Sequence, residues 1–330
     1  MENETNTHLS VPSRLPAAAD AGFDAPKLSG PASGSGPQDP AGEFHATVAA
    51  LVEHAPHEFE MAAAALGDLV DASRAWEEFA AMGKVVVFGS ARIAEGSPVY
   101  EAVAELARLL AAQGFAVVTG GGPGVMSAGL EGAGRGSALG ISITLPFESP
   151  ARIDDIPVIE LRRFFTRKLA LVRSTRAVVV APGGFGTLDE LFEVLTLLQT
   201  GKKSPTPVVL FDADGSGFWD GLLVFIDTLV ATKMIAASDA ALFTVARTAQ
   251  EAFEHVARFQ KHYRGFAAHG GIGKIRFTGP LAVGPGLLDT EFPVFAPFSV
   301  SEDNDGGALQ FTFDRRNFGL LHQLIDRLNG

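Results

Sequence analysis

The residues of this chain best suited to chemistry are Pro-Gly-Gly-Phe-Gly-Thr-Leu-Asp-Glu, at positions 182–190. Three glycines there leave successive backbone N–H groups unshielded, because glycine has no Cβ. If a helix opens at Thr187, its unpaired amides and the positive end of its dipole point at the same turn, and such a helix end binds anions. The residues predicted to hold a phosphate group on this basis are Gly183, Gly184, Gly186 and Thr187.

A carboxylate, Glu190, follows Thr187 at a distance of three residues. In a helix beginning at Thr187, its side chain would lie over the first turn, beside the bound anion. The pair also fits a capping box, in which Thr and Glu only satisfy backbone amides. A cap does not require three glycines upstream, so the sequence favours Glu190 as a reactive acid in the site.

A group of cations precedes this region, with six Arg and Lys residues between positions 162 and 176. Such a run usually marks a solvated helix face. Here an apolar stripe at helical spacing indicates that one edge of the helix packs on a sheet while another offers cations to the phosphate. Arg167 and Lys168 are predicted to lie in the site, whereas Arg162, Arg173 and Arg176 are predicted surface or interface charges.

Two further glycine turns follow predicted strands, Gly89-Ser90 and the run at positions 120–124. From them, Gly121 and Gly122 are predicted to assist phosphate binding, and Ser90 is equally consistent with a substrate contact or a helix-entry residue. Glu148, on a loop after another strand, is a possible substrate contact. No GxGxxG motif follows the first strand, so an ordinary dinucleotide site is not indicated.

Strands and helices alternate in the elements that must position these turns. Such alternation predicts an α/β fold, a doubly wound, Rossmann-like parallel sheet that binds ligands at the carboxyl ends of its strands. The predicted strands are 84–88, 116–118, 139–144, 158–161, 177–181 and 207–211. The predicted helices are 98–113, 125–133, 164–175, 187–200, 218–231 and 249–260.

Composition divides the chain into four predicted parts. Residues 1–40 are rich in Pro, Gly, Ser and Ala and are predicted to be a disordered tail. Residues 41–82 are predicted to form an acidic extension of two or three helices, and residues 83–262 the catalytic domain. Residues 263–330 are predicted to be a small α+β appendage with strands at 274–277, 292–298 and 309–313 and a helix at 318–328.

Several classes of function are disfavoured by composition. The chain of 330 residues has no cysteine, which excludes disulfides and thiol catalysis, and its histidines lack metal-ligand spacing, so no metal or other cofactor is predicted. Its net charge is −12, and residues 83–268 hold eighteen acids and eighteen bases, which argues against nucleic acid as a partner. No signal peptide or 18-residue apolar run is present, so we expect a cytoplasmic protein without a membrane partner.

Residues 182–190 fit the pattern PGGxGTxxE, and the chain thereby resembles the LOG-like family, formerly labelled lysine decarboxylases. Phe-Phe-Thr-Arg-Lys at 164–168 is similar to the family's arginine-lysine motif, and Arg167 precedes Glu190 by 23 residues, as the family's catalytic arginine and glutamate do. Similarity extends over about residues 84–260.

This resemblance implies a phosphoribohydrolase that cleaves the N-glycosidic bond of a nucleoside 5′-monophosphate such as AMP. It implies catalytic roles for Glu190 and Arg167, the arginine pairing with the carboxylate or the ribose hydroxyls, and a homodimer or higher homo-oligomer. A nucleotide sensor or carrier that performs no chemistry is the main alternative. A single-stranded DNA-binding protein of related fold is disfavoured by the neutral core and acidic flanks.

Overall fold

The computed structural model describes residues 39–143, 155–173, 175–303 and 306–330. The chain divides into two compact units, residues 1–53 and 54–330. The described part of the first unit lies in helix α1 (Pro40–His54). The second unit begins with helix α2 (Pro56–Glu77) and contains every strand described below.

A seven-stranded sheet with the order β4-β3-β2-β1-β5-β6-β7 is the centre of the second unit, and every pairing in it is parallel. Its inner strands are buried on both faces, as expected of a parallel sheet covered by helices, whereas the two edge strands are partly exposed. The fold is therefore the predicted α/β, doubly wound arrangement. The strands are β1 (Gly83–Phe88), β2 (Phe115–Thr119), β3 (Ala138–Ile143), β4 (Val158–Leu161), β5 (Ala177–Val180), β6 (Val208–Phe211) and β7 (Thr244–Ala246).

Helices cover the two faces of this sheet, and alternate residues of each strand supply the two cores. Val86 belongs to one core, with residues of α2, α5 and α6, whereas Val85 and Val87 belong to the other, with residues of α3, α4 and α8. The helices after α2 are α3 (Pro98–Ala112), α4 (Val125–Ala133), α5 (Phe164–Arg173), α6 (Phe185–Gln199), α7 (Asp220–Ala231) and α8 (Ala249–Gln260).

A second, antiparallel sheet follows α8, with the strand order β10-β11-β9-β8. One of its faces packs with the last helix in an aromatic core that includes Phe295, Phe311 and Phe313. Its elements are β8 (Tyr263–His269), β9 (Ile272–Phe277), α9 (Pro285–Glu291), β10 (Ser299–Asp303), β11 (Gly306–Thr312) and α10 (Phe318–Asn329).

Two sequence-based predictions of secondary structure are wrong in instructive ways. Residues 292–298 do not form a strand; they connect α9 to β10. Phe295 and Phe298 are buried but Val294 is exposed, and Pro293 and Pro297 cannot donate to a sheet. Helix α6 begins at Phe185 instead of Thr187, because Gly184 is its N-cap. Strands β7, β8 and β10 and helix α9 were not predicted.

The proposed domain boundaries stay predictions, and residues 1–38 of the predicted tail lie outside the described residues. Across the described ranges, no helix is both long and apolar enough to cross a bilayer.

Candidate active site

Three strand-to-helix turns meet at the carboxyl edge of the parallel sheet. The amide of Ser90, after β1, donates to the carbonyl of Pro182 after β5, at 3.0 Å. The carbonyl of Ser90 accepts from the amide of Val125, at the start of α4, at 3.1 Å. Backbone hydrogen bonds from one residue therefore join all three glycine-rich turns, and they fix the position of one helix N-terminus relative to another.

A crevice of about 730 Å³ opens at this junction. Polar and apolar groups line different parts of it. The polar or backbone-rich part consists of Gly89, Ser90, Arg92, Gly120, Arg167, Gly184, Gly186, Thr187, Asp189 and Glu190. The apolar part consists of Phe88, Ala91, Met126, Phe164, Leu171, Phe185 and Leu188.

The N-terminus of α6 presents free amides to the crevice. The helix's first hydrogen bond runs from the amide of Leu188 to the carbonyl of Gly184, at 3.0 Å, so the amides of Phe185, Gly186 and Thr187 precede the intrahelical pattern. Because α6 begins two residues earlier than the sequence predicted, Thr187 and Glu190 do not form a capping box. Glu190 is instead in the second turn of the helix, too far from the N-cap to bond the free amides there.

Glu190 is a buried carboxylate, only 8% exposed, that nevertheless lines the crevice. Its Oε1 lies 3.2 Å from the Lys168 ammonium, and no described group donates a hydrogen bond to its buried Oε2. Burial raises the pKa of Glu190, while the Lys168 ammonium and, more weakly, Arg167 act to lower it. Glu190 therefore lines a crevice that a small molecule can enter, with one carboxylate oxygen bound to Lys168 and the other buried without a described donor.

Lys168 binds three carboxylates of α6 at once. Its Nζ lies 2.8 Å from Asp189 Oδ2, 2.8 Å from Glu193 Oε2 and 3.2 Å from Glu190 Oε1. Burial acts to lower the pKa of Lys168, but hydrogen bonds to Asp189 and Glu193 outweigh it, so the net shift is upward. Lys168 is not among the residues that line the crevice, and its possible contact with substrate stays a prediction.

Arg167 is oriented by backbone carbonyls. Its Nε donates to Ile141 at the end of β3, at 2.9 Å, and its Nη2 donates to Gly120 after β2, at 3.0 Å. A Cβ at position 120 would overlap this guanidinium, so the glycine leaves room for Arg167 in the position observed. The predicted cation thus lines the crevice with its plane fixed by two strands.

The N-terminus of α5, which carries Arg167 and Lys168, is anchored by a residue of α2. The buried carboxylate of Asp68 accepts from the amides of Arg162 and Arg163 at 3.0–3.1 Å and from the Thr166 hydroxyl at 2.6 Å. A carboxylate from another helix therefore satisfies the donors that the start of α5 leaves unpaired, and it favours the positive end of the α5 dipole.

The remaining predicted contacts have mixed outcomes. Ser90 lines the crevice, but its hydroxyl accepts from the Arg92 amide at 3.0 Å. Gly183, Gly121 and Gly122 belong to the turns at this edge of the sheet but are not among the residues that line the crevice. Glu148 lies outside the described residues.

Sequence reasoning missed the apolar wall of the crevice. Phe164 begins α5 and is 59% exposed, and Phe185 begins α6 and is 94% exposed. A large aromatic residue at the first position of a helix beside a glycine turn is the signal that would have identified them. In the described part of the chain, no group of three or more His, Asp or Glu side chains is arranged to hold a metal ion.

Comparison with known proteins identifies relatives of this crevice-bearing region. The family model described as "Possible lysine decarboxylase" matches residues 111–256. A cytokinin riboside 5′-monophosphate phosphoribohydrolase of Arabidopsis thaliana is 31% identical over 176 residues, covering 51% of this chain and 79% of the relative. Its counterpart from Oryza sativa subsp. japonica is 34% identical over 158 residues, covering 46% of this chain and 63% of the relative.

Among solved structures, this chain is similar to a molybdenum cofactor carrier protein from Chlamydomonas reinhardtii, with 24% sequence identity and a TM-score of 0.39. The similarity covers 54% of this chain and 97% of the carrier protein. No functional argument rests on that similarity.

Proposed function

Because this chain belongs to the LOG family, we propose that it hydrolyses the N-glycosidic bond of a nucleoside 5′-monophosphate, releasing the free base and ribose 5-phosphate. The observation that supports this proposal most directly is Glu190: a buried carboxylate in the wall of a crevice, with one oxygen held by Lys168 and the other without a described donor.

The 5′-phosphate is assigned to the N-terminus of α6. Gly184 and Gly186 have open space where a Cβ would stand, so an anion can approach the backbone closely. The amides of Phe185, Gly186 and Thr187 are the donors, and the helix dipole adds to their attraction for a dianion. Arg92, on the same crevice, supplies a cation from the β1 turn.

With the phosphate held there, Glu190 is assigned to the anomeric carbon. Departure of the base leaves positive charge on the ribose ring, which a nearby carboxylate stabilises. The departing base takes up one proton from solvent. Water then adds to the anomeric carbon, keeps one proton as the new hydroxyl group and gives the other to Glu190, which returns it to solvent. The raised pKa of Glu190 brings its basicity closer to that needed for proton transfer near neutral pH.

Arg167 is assigned to the ribose. Its Nε and one Nη donate to carbonyls, which fixes the guanidinium plane beside the crevice that Arg167 lines. Its positive charge also favours the ionised form of Glu190. In this arrangement Arg167 binds hydroxyl groups and helps to keep the carboxylate charged.

The apolar wall is assigned to the base. Phe164 and Phe185 offer exposed aromatic faces, and Met126 adds a polarisable side chain. An AMP-like nucleotide with an aromatic, weakly polar base fits this surface. The plant relatives are named for cytokinin riboside 5′-monophosphates, so these nucleotides belong among the substrates to be tested.

A screen of nucleoside 5′-monophosphates tests the proposal. We expect free base and ribose 5-phosphate in equal amounts from at least one nucleotide, measured by chromatography and by a coupled assay for the sugar. Binding of a nucleotide with neither product would support the alternative, a carrier or sensor. Release of inorganic phosphate in place of base would contradict the assigned bond.

A homodimer or larger homo-oligomer in the cytoplasm is part of the same proposal. Exposed apolar side chains on α5, α6 and α7 support it, since such residues are costly to leave in water when they are contiguous. They include Phe165, Leu169, Phe192, Val224 and Phe225. Light scattering after size-exclusion chromatography tests it, and a monomer at assay concentration would contradict it.

A further inference from the structure

A second crevice, of about 330 Å³, lies at the opposite end of α6 from the candidate active site. One side of it is the loop after α6, and the other is β8 of the antiparallel sheet with the residues that lead into α10. Its lining residues are Thr200, Gly201, Lys202, Lys203, Ser204, Phe266, Ala267, Ala268, Arg315 and Phe318. The crevice is therefore built jointly by the parallel sheet's connections and the C-terminal sheet.

Gly201 is what allows the two parts to meet. It ends α6 in the left-handed region, with φ of +67°, and the amide of Lys202 then donates back to Leu197 at 2.8 Å. A Cβ at position 201 would overlap the ring of Phe318. Glycine thus permits both the turn and the close approach of the aromatic ring that forms one wall of the crevice.

The crevice has three cationic residues and no carboxylate among its lining residues. Lys203 has a structural explanation, because its ammonium donates to the carbonyls of Val172 and Thr175 at 2.8 and 3.0 Å and closes the end of α5. The other two cations do not have such an explanation. No described residue pairs with the Lys202 ammonium, and Arg315 uses Nη2 for one bond, to Ala268, at 2.8 Å.

Unbalanced positive charge in a concave site is notable in a chain whose net charge is −12. Field lines concentrate in such a site and attract small anions. The hydroxyl of Ser204 adds a donor without a described partner, and Phe266 and Phe318 add apolar surface. The volume lies at the lower end of the range for small-molecule pockets.

From these contacts we propose that this second crevice binds a small phosphate-bearing molecule. Lys202 and the free donors of Arg315 take the phosphate oxygens, because a guanidinium fork and an ammonium both match an oxyanion. Phe266 and Phe318 pack against the rest of the molecule. The C-terminal sheet then supplies half of a binding site that is separate from the catalytic crevice.

Isothermal titration calorimetry with inorganic phosphate tests this site in the full chain, at constant ionic strength. The double variant Lys202→Gln/Arg315→Gln removes both cations. The matched control, Lys233→Gln/Arg316→Gln, removes the same charge at exposed residues that do not line the crevice. We expect the wild type and the control to show a binding component that becomes at least tenfold weaker in the double variant, since two charge-assisted hydrogen bonds are lost.

Phosphate binding that is equal in all three proteins would overturn the proposal, because the catalytic crevice would then account for all of it. Acetate provides a second test: binding as tight as that of phosphate, and equally dependent on the two cations, would overturn the assignment to phosphate. Circular dichroism establishes that each variant is folded. If the double variant is not, Lys202→Gln alone is compared with Lys233→Gln, and the same outcomes apply.

Discussion

Two regions of this protein bury titratable side chains, and they do so with opposite electrostatic results. Between α5 and α6, Lys168 holds three carboxylates, and buried Glu190 faces a crevice. Between α8 and α10, buried His322 packs with its ring 5.6 Å from that of Phe259. Each region contains a buried polar atom without a described hydrogen-bond partner, Glu190 Oε2 in the first and His322 Nε2 in the second.

The difference lies in what surrounds each group. Burial raises the pKa of Glu190, but an ammonium in contact acts to keep the carboxylate ionised. Burial, with a smaller contribution from His255, lowers the pKa of His322 to about 3. Burial, with a smaller contribution from Arg258, lowers the pKa of His255 to about 4. Both rings are therefore neutral near pH 7. A perturbed pKa therefore indicates a functional site only when charge is retained beside a space that a ligand can enter.

The largest expected effect is on catalysis by Glu190. Glu190→Gln should lower kcat by roughly 10² to 10⁴, the range for loss of a general acid or base, while nucleotide binding is retained. Glu193→Gln is the matched control, because Glu193 contacts the same ammonium from the same helix but does not line the crevice. Steady-state kinetics with both variants checks this. Similar losses in the two variants would assign Glu190 to the ion-pair cluster and not to chemistry.

Removing the ammonium should have a smaller effect with a distinctive pH dependence. Lys168→Met should lower kcat about tenfold or more, because loss of one charge-assisted hydrogen bond costs about 1.5 to 3 kcal/mol. Because Lys168 acts to lower the pKa of Glu190, its removal should raise that pKa and move the acid limb of kcat/KM to higher pH. The pH profile measures this, and Lys168→Arg should restore the original limb. An unmoved acid limb in Lys168→Met would contradict the positioning role.

The third prediction leaves catalysis unchanged and concerns stability in the second region. The pKa of His322 is lower in the folded chain than its ordinary value near 6.5, so the unfolded chain binds more protons as the pH falls below 6.5. Folding should then lose about 2 kcal/mol from this residue between pH 7 and pH 5, from 1.5 pH units at 1.36 kcal/mol each. The raised pKa of Asp326 acts in the opposite direction at lower pH.

Urea denaturation of the wild type and His322→Phe at both pH values measures this loss. The variant should show a shallower pH dependence, because phenylalanine cannot take up a proton in the unfolded chain. Equal slopes for the two proteins would show that His322 is accessible to protons in the folded state, and the contrast between the two regions would then fail.

The sequence was most informative where local patterns determine structure. Apolar runs located all six predicted strands of the parallel sheet to within one residue at each described end, and the glycines that follow three of them placed the turns that form the crevice. It was misleading about where α6 begins, since the helix starts at Phe185, with Gly184 as its N-cap, and not at Thr187. Residues 292–298 show the same limit, because a loop that buries only Phe295 and Phe298 can have the sequence pattern of a strand.

Contacts between elements that are far apart in the chain could not be predicted from the sequence. Arg167 was predicted in the site, but its bonds to the carbonyls of Ile141 and Gly120 depend on how β2, β3 and α5 pack. The capping of α5 by Asp68 joins residues almost a hundred positions apart. Lys168 was predicted to lie in the site, but its contacts with three carboxylates of α6 could not be identified from spacing alone.

The central claim, that the N-terminus of α6 holds a 5′-phosphate while Glu190 acts at the glycosidic bond, is tested most directly by comparing AMP with adenosine. The phosphate lies several bonds from the cleaved one, so it contributes by positioning the ribose. Each lost charge-assisted hydrogen bond costs about 1.5 to 3 kcal/mol. We predict that kcat/KM for adenosine is lower by about 10² or more under identical conditions. Equal kcat/KM values for the two compounds would contradict the account.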